Sequence, residues 1–559
     1  MEQFSIPVGN RVFVAARVTA MAAEHAAGVA AIVALPEEKL QTKLLLLRLC
    51  AGTRVTYALQ SLPPDAGATL AAAVDADEQR AVLSLLCDAT DDAAVRAALL
   101  ERASLPVRMG GLGVGDRSRV AAATVVASWA DAAVHCHRAA APSLADLADA
   151  LRATDPVVPA APAGAQVDTL AWPGAPRAGA AAAAGAAGAP PAADATPSGR
   201  RPPILSSVLA AVAALNAACG AASAPSPTAP DLLVPPADAH IAATGLLRVA
   251  GGTRLSWARL LGGARAPSQR DLAGPVHLAA LERLRASLPD IADLARLAAC
   301  HGAGAGLWLS ALPAPGRPAG AIGGRAMRMA TRLWLGVPPV ARTAVARRCA
   351  CGAAVDPYGV HFLAACGAPS CISNSTFRHN TLVARTADAL RAHPQWRDVE
   401  VEASSALFSA GTATLRPDVR AVRVRTGGVV WGDVAVASVF TDKVVADVVA
   451  RPSLAVAAVG REARKVRKYA PRLPAADPPA VFTPLVWEVF GRVGPASADF
   501  LRAAVGGPGR SRALASLLTD ASAIIWRYNA RMLCEGFLRC DARGRATLDA
   551  PTALAQVSS

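Results

Sequence analysis

The stretch CACGAAVDPYGVHFLAAC gathers three cysteines and one histidine within eighteen residues of an alanine-rich chain. Its four metal-binding side chains are Cys349, Cys351, His361 and Cys366. Three thiolates and one imidazole fill the tetrahedral shell of a structural zinc ion, and so short a loop depends on the metal for its folding energy. The spacing therefore predicts a structural Zn²⁺ site. Cys371 can replace one ligand, and metal-free thiols packed in a loop are the alternative.

Acidic and basic side chains downstream suggest a second chemistry. Asp418, in the tripeptide Arg-Pro-Asp, is followed after fourteen residues by Asp433. Glu402 lies upstream, at the foot of a predicted helix, while Lys465 and Lys468 share one helical face. Carboxylates hold Mg²⁺, the metal activates water, and a lysine stabilises charge at the phosphate, so this set suits phosphodiester hydrolysis. The structural alternatives are a turn cap, a solvent-exposed acid and a solvated basic face.

Two helices and three strands must position these side chains. Residues 413–440 alternate apolar and polar positions around a Thr-Gly-Gly turn, which is typical of a β-hairpin. Helical spacing occurs at 377–393 and again at 453–470, and 480–491 is typical of a buried strand. Strand, strand, helix, strand is an α/β order, distinct from the helical first half of the chain.

The hairpin poses a geometric problem for a shared metal ion. A symmetric two-residue turn at 427–428 would pair Asp433 with Val422, four residues away from Asp418. At about 3.3 Å per residue, the two carboxylates would then be roughly 13 Å apart along the strand, too far to hold one ion. The sequence therefore predicts a bulge at 431–432, where a glycine tolerates it.

The whole chain is predicted to be multi-domain, with an α-helical N-terminal half and a C-terminal α/β domain. Residues 153–235 are too rich in Ala, Pro and Gly to bury large side chains, which indicates a disordered linker interrupted by a short helix at 206–219. After the glycine pair near residue 110, Asp116 or Ser118 can cap the next helix. The predicted divisions are a helical segment at 1–152, the linker at 153–235, a helical connector at 236–345, a zinc knuckle at 346–376, the α/β domain at 377–530 and a tail at 531–559.

The composition limits which binding partners and which cell compartment are expected. The formal net charge of +15 favours nucleic acid over a small-molecule substrate, although GC-rich coding would also enrich Ala, Arg, Gly and Pro together. No run of about 20 strongly apolar residues and no secretory signal is recognised, so no membrane association is expected. Eleven cysteines are too few for a disulfide scaffold in 559 residues, which indicates the cell interior.

The order of these motifs resembles the C-terminal part of non-LTR (LINE-type) retrotransposon polyproteins. The resemblance covers about 345–495 and rests on the knuckle, Arg-His-Asn, an upstream glutamate, Arg-Pro-Asp, a second aspartate and Lys-x-x-Lys-Tyr. In that family a CCHC knuckle precedes a restriction-like endonuclease of the PD-(D/E)xK type. The resemblance implies that Asp418 and Asp433 bind Mg²⁺. It also implies that Lys465 and Lys468 are the displaced lysines, because Ala435 stands where the motif would place one.

The same resemblance implies DNA as the partner, with the element's RNA as a second one, and a nuclear location. In such elements the tripeptide Arg378, His379 and Asn380 helps to bind DNA. Basic residues around the acids would contact phosphates and give an affinity that falls steeply with salt. These residues are Arg416, Arg423, Arg464, Arg467 and Arg472.

The first half of the chain resembles, more loosely, the segment after the polymerase palm of these reverse transcriptases. No Tyr-x-Asp-Asp quartet occurs, so we expect no polymerase activity, and the chain looks like the rear of an element. The first hypothesis is a metal-dependent endonuclease that nicks target DNA. The second is a catalytically inactive, zinc-anchored nucleic-acid-binding remnant, and the third is a helical interaction protein without a site.

Overall fold

The computed structural model describes most of the chain outside the predicted linker. The predicted helical segment 137–152 and most of the linker lie outside the described residues; Ala211 and Leu215 within the linker are helical and buried, as predicted for 206–219. The described residues are 10–136, 268–301, 304–312, 321–340, 348–364, 366–402, 416–451, 455–473, 480–506 and 512–542, with short pieces at 2–3, 6–7, 211, 214–215, 217–218, 246–249, 252–255, 409–410 and 413–414.

The N-terminal part is helical, as predicted. Its longest helices, the first and the fourth, pack together through Val14, Val18, Leu70 and Val74. A tiny hairpin of β1 (Glu2–Gln3) and β2 (Ile6–Pro7) precedes them. The helices are α1 (Arg11–Val33), α2 (Leu40–Leu46), α3 (Gly52–Ser61), α4 (Pro64–Leu86), α5 (Ala93–Ala103) and α6 (Arg117–Cys136). By length and composition, α1 is the one described helix that could cross a membrane.

The start of α6 is capped from a distance. The sequence predicted a local cap by Asp116 or Ser118, but the carboxylate of Asp75, on α4, accepts hydrogen bonds from the backbone N–H groups of Arg117 and Ser118 at 2.7 and 2.8 Å. A carboxylate at a helix N-terminus accepts hydrogen bonds from unpaired N–H groups and interacts favourably with the helix dipole. It does so equally well whether it comes from an adjacent residue or from a distant part of the chain. The local prediction failed because the competing cap is forty residues away in sequence.

The connector is not wholly helical. Strands β3 (Leu246–Val249) and β4 (Gly252–Leu255) form an antiparallel hairpin where 236–268 was predicted to be helical. The signal was present, because apolar residues alternate with polar ones on both sides of a Gly-Gly pair. The helices that follow are α7 (Gln269–Ser287), α8 (Ile291–Cys300), a 3₁₀ helix (Ala305–Ser310) and α9 (Gly324–Trp334).

The C-terminal half contains a four-stranded mixed sheet packed with helices. Strand order is β10-β9-β8-β5; β5–β8 and β8–β9 are antiparallel, while β9–β10 is parallel. The hairpin, the helix after it and the closing strand occur where they were predicted. The elements are α10 (Val360–Ala364), α11 (Pro369–Arg391), β5 (Trp396–Val401), β6 (Ser409–Ala410), β7 (Ala413–Thr414), β8 (Val419–Arg423), β9 (Val429–Ala437), α12 (Asp442–Ala450), α13 (Val456–Tyr469), β10 (Val481–Glu488), α14 (Pro495–Val505) and α15 (Arg512–Ala542).

One hydrophobic core runs through the described parts of both halves, from Val29 to Cys540. At its centre the Trp308 and Trp526 rings stack with centroids 4.5 Å apart, and Trp334 packs edge-on against both. These rings come from the 3₁₀ helix, α15 and α9. Helix α15 runs across the predicted boundary at residue 530, because its buried face packs on the connector, the knuckle and α11 alike.

We expect Trp526→Ala to lower the free energy of unfolding by about 3–5 kcal/mol, the usual cost of removing a fully buried tryptophan. The indole also loses its hydrogen bond to the Phe490 carbonyl, 3.1 Å long. Urea unfolding followed by circular dichroism measures the change. Ile291→Ala, at a side chain 51% exposed, is the control; equal losses in both variants would contradict a core centred on Trp526.

Candidate metal centre and acidic site

The four predicted zinc ligands come together. The Cys349 and Cys366 sulfurs are 3.4 Å apart, and the Cys351 sulfur lies 3.1 Å from His361 Nε2. All four ligand atoms lie within 4.8 Å of one another, the one such group of three or more in the described part of the chain. With Zn–S bonds of about 2.3 Å, tetrahedral zinc holds its sulfurs just under 4 Å apart, so the cluster can hold a metal such as zinc.

Asp356 organises the loop that carries the histidine. Its carboxylate accepts hydrogen bonds of 2.9–3.0 Å from the backbone N–H groups of Tyr358, Val360 and His361. These contacts start α10 and fix the direction in which His361 leaves the backbone. Asp356 therefore helps to shape the loop without being a ligand, and the Asp-Pro-Tyr-Gly turn was its signal in the sequence.

The loop rests on α15. Gly359 has a φ of 68°, and a Cβ there would lie 2.8 Å from side-chain atoms of Leu533 and Phe537. Only glycine combines this left-handed backbone with so close an approach. The Phe362 ring, from α10, adds an edge-on contact with Phe537 at 5.2 Å. The metal-binding loop is therefore packed against α15, the helix that also contributes Trp526 to the centre of the core.

The thiols differ in how readily they ionise. Burial raises the pKa of Cys349 and of Cys366 to about 11. The exposed Cys351 accepts a hydrogen bond from the Ala353 backbone N–H, which lowers the pKa of its thiol to about 6. Zinc binds thiolates, so occupation of this site releases protons from the two buried thiols. Cys371 is also buried, but it lies outside the four-ligand group.

The hairpin register brings the two predicted aspartates side by side. Val419 pairs with Gly432, so the next positions outward are Asp418 and Asp433. The pairing is continuous through Val422 and Val429, and the connection between β8 and β9 is a five-residue loop, 424–428, instead of a two-residue turn. Facing residues on adjacent strands have Cβ atoms about 5 Å apart, compared with the separation of roughly 13 Å that a symmetric turn would give.

The predicted bulge at 431–432 is wrong, because the longer loop already shifts the register. Gly432 instead lies in a regular strand, where a Cβ would come within 2.9 Å of the Leu485 side chain. The irregularity of the sheet lies in β5, between Arg397 and Glu400.

Glu402 completes a row of three acids. Val401 pairs with Val419, and the Glu402 N–H donates to the Asp418 carbonyl oxygen at 2.9 Å. The expectation that Glu402 ends a helix is wrong, since it follows β5 directly. Its side chain is exposed and its φ is 52°, a left-handed conformation that departs from that of a strand.

Asp433 is buried and paired. Its side chain is 4% exposed, it forms a salt bridge with the Lys465 ammonium, and it accepts a hydrogen bond from the Tyr469 hydroxyl at 3.1 Å. Lys465 and Tyr469 are four residues apart and so share one face of α13. Burial lowers the pKa of Lys465, and the charge of Asp418 opposes this shift. Lys468 is exposed and points elsewhere, its ammonium lying 5.2 Å from the Tyr469 ring centroid.

Asp418 is held by two donors. One carboxylate oxygen accepts from the Val434 backbone N–H at 2.6 Å, and the other lies 3.2 Å from His379 Nε2. Its side chain is 13% exposed, so it is more accessible than Asp433. Sequence reasoning placed His379 with the DNA-binding residues and did not connect it with Asp418, because 39 residues and three strands separate them.

The residues predicted to bind nucleic acid have different surroundings. Arg378 does not fit that role: it is 6% exposed, and its guanidinium donates to the Asn529 side chain at 2.6 Å between α11 and α15. Burial lowers its pKa to about 10. The exposed side chains are those of Asn380, Arg416, Arg423, Arg464 and Arg467, while Arg472 is half-buried.

We expect Cys366→Ser to abolish zinc binding, because three ligands remain and a buried sulfur is lost. The full chain should carry about one zinc ion when purified with zinc, as a closed shell of four ligands holds one. Elemental analysis of the purified variants measures it. Cys371→Ser, a second buried cysteine, should retain the metal; the opposite pattern would make Cys371 a ligand, and a metal-free wild type would favour packed thiols.

We expect Lys465→Met to cost about 3–5 kcal/mol at pH 8, because it leaves the Asp433 carboxylate buried without its cation. The loss should shrink at pH 5: without its partner the buried acid has a raised pKa and takes up a proton as the pH falls. Lys468→Met, at an exposed lysine on the same helix, should change stability by less than about 0.5 kcal/mol. Urea unfolding at both pH values measures this, and equal effects of the two substitutions would contradict the buried pair.

No protein-family model matches the chain, and no curated protein matches it significantly. The chemistry of the site therefore follows from its own residues alone. They form a Cys/His cluster that can hold a metal such as zinc, and a row of acids on adjacent strands beside a buried lysine.

Proposed function

We propose that this protein is a metal-dependent DNA endonuclease that nicks one strand of its target. The observation that carries the proposal is the hairpin register, which brings Asp418 beside Asp433. Lys465 forms a salt bridge with Asp433. Two carboxylates and an ammonium at one edge of a sheet are the groups that phosphodiester hydrolysis needs.

The donor set fits a Mg²⁺ ion. Magnesium is bound by one or two carboxylates and completes its shell with water and substrate phosphate oxygens, so two acids are enough. Asp418 is partly exposed, so a divalent ion can reach it from solvent, while Asp433 is buried beside it and already balanced by a cation. Bound there, Mg²⁺ would activate water and neutralise charge on the phosphate.

The chain's own residues have separate roles in this proposal. Asp418 and Asp433 hold the ion, and Glu402, next to Asp418 in register, is exposed at the end of the row. Lys465 balances Asp433 and offers its ammonium to the phosphate. Tyr469 fixes Asp433 through its hydroxyl, while its ring stacks on Phe482 at 4.6 Å and so cannot swing away.

The exposed basic residues around the acids provide a surface for DNA. Arg464, Arg467 and Lys468 lie on the exposed part of α13, and Arg416 precedes the first acid. Contacts of this kind bind the backbone without reading its sequence, and they release counterions. The affinity should therefore fall steeply as salt is raised.

The proposal includes a restriction-type fold and the resemblance to retrotransposon polyproteins. Three antiparallel strands, the crossover helix α13 and the parallel strand β10 support this fold, because they bring the hairpin acids and the helix lysine to one edge of the sheet. In that setting the Cys/His knuckle lies directly ahead of the nuclease. The setting also implies a nuclear location and element RNA as a second partner, with polymerisation left to other proteins.

We expect the full chain to convert supercoiled plasmid to the nicked form with Mg²⁺, and Asp418→Asn and Asp433→Asn to slow this by about 100-fold or more. Loss of a metal ligand removes several kcal/mol of charge stabilisation, and each 1.36 kcal/mol is a factor of ten. Agarose-gel time courses measure the rate. Asp388→Asn, at an exposed aspartate on α11, is the control; nicking at the wild-type rate by both site variants would reject the proposal.

An inactive nucleic-acid-binding remnant is the second candidate. The observation in its favour is that Asp433 already has a salt bridge with Lys465 and a hydrogen bond from Tyr469. A buried ion pair with a purely structural role would look the same. Such a protein would bind DNA with a steep salt dependence, show no nicking with any divalent ion, and keep the same thermal stability with and without Mg²⁺.

A further inference from the structure

His379 lies against the carboxylate that the proposed reaction needs most. Its Nε2 is 3.2 Å from one oxygen of Asp418, whose other oxygen accepts from the Val434 N–H. The imidazole is 37% exposed, compared with 13% for the Asp418 side chain, so the histidine is the more accessible member of the pair. Both oxygens of Asp418 are thereby fixed, which sets the plane of the carboxylate.

A carboxylate held in this way can still bind a metal ion. Each oxygen accepts in two lone-pair directions, so one donor on each leaves a second direction open. Outer partners that hydrogen-bond to a metal-binding carboxylate fix its orientation and are nearly as important to affinity as the ligand itself. The contact between Asp418 and His379 has the form of such an outer partner.

The helical geometry separates the three residues of the Arg-His-Asn tripeptide. Consecutive residues of a helix point about 100° apart, so the three side chains cannot share one contact surface. Arg378 is buried and hydrogen-bonded to Asn529, which anchors α11 to α15. Asn380 is exposed to solvent. His379 lies between these two directions and contacts the acid.

We propose that His379 is a positioning residue for the metal-binding carboxylate Asp418, and not a DNA contact. The proposal rests on the proposed function, because it assigns the histidine to the divalent ion of that site. Arg378 supports this role indirectly, because its hydrogen bond to Asn529 holds α11, the helix from which His379 contacts Asp418.

The test is divalent-ion binding by the full chain, measured with Mg²⁺ by calorimetry and with Mn²⁺ by electron paramagnetic resonance. We expect His379→Leu to weaken binding about 10- to 100-fold, the usual effect of losing an outer partner. His379→Gln, whose amide can still donate to Asp418, should recover most of the affinity. DNA affinity, measured without divalent ions, should stay within about twofold of wild type in both, since no phosphate contact is lost.

Matched controls separate this role from damage to the fold. His393→Gln removes a histidine just beyond the end of α11 and should leave ion binding unchanged. Asp418→Asn sets the baseline for loss of the ligand itself. Zinc content and circular dichroism should match wild type in every variant, because the histidine is partly exposed and is not one of the four metal-binding side chains.

Two results would overturn the assignment. If His379→Leu bound Mg²⁺ as wild type does but lost DNA affinity, the histidine would be a phosphate contact. If the wild type and Asp418→Asn bound Mg²⁺ equally weakly and neither nicked DNA, the proposed function would fail and the assignment with it. The first result, with wild-type nicking preserved, overturns only the role of His379.

Discussion

The pairing of Val419 with Gly432 is the constraint on which the acidic site depends. Side chains alternate between the faces of a strand, so a slip of one residue would send Asp433 to the face opposite Asp418. The five-residue loop between the two strands sets this register, and burial of Val430 and Val434 on one face with Trp431 and Asp433 on the other makes any alternative costly. A buried aspartate that then finds Lys465 further stabilises the chosen register.

Helix α15 connects this site to the zinc loop. It packs on the tryptophans of the connector, on the loop through Leu533 and Phe537, and on α11 through Asn529. Packed side chains therefore connect the metal-binding loop with the helix that carries His379. The knuckle and the α/β part behave as neighbours in one core, although their sequences look like separate modules.

Sequence patterns predicted where the helices and strands lie better than they predicted how these elements contact one another. Periodicity located the helices of the first part, the hairpin, α13 and the closing strand, because each pattern reflects which side chains of that same segment are buried. It missed the hairpin at 246–255, where a short alternation was read as part of a helical region. It also misplaced the cap of α6, since the carboxylate of Asp75 comes from another helix.

The sequence by itself determined the Cys/His cluster that can hold a metal such as zinc, because Cys349, Cys351, His361 and Cys366 lie in one short loop whose turns bring them together. It also named Asp418, Asp433 and Lys465 as candidates, because carboxylates followed by a basic helix suit phosphodiester hydrolysis. Only the tertiary structure decided that the two acids face each other, that Lys465 neutralises Asp433, and that His379 contacts Asp418 while Arg378 is buried. Those relations depend on loop length, strand register and helix packing over tens of residues, and the pattern of a single segment does not contain them.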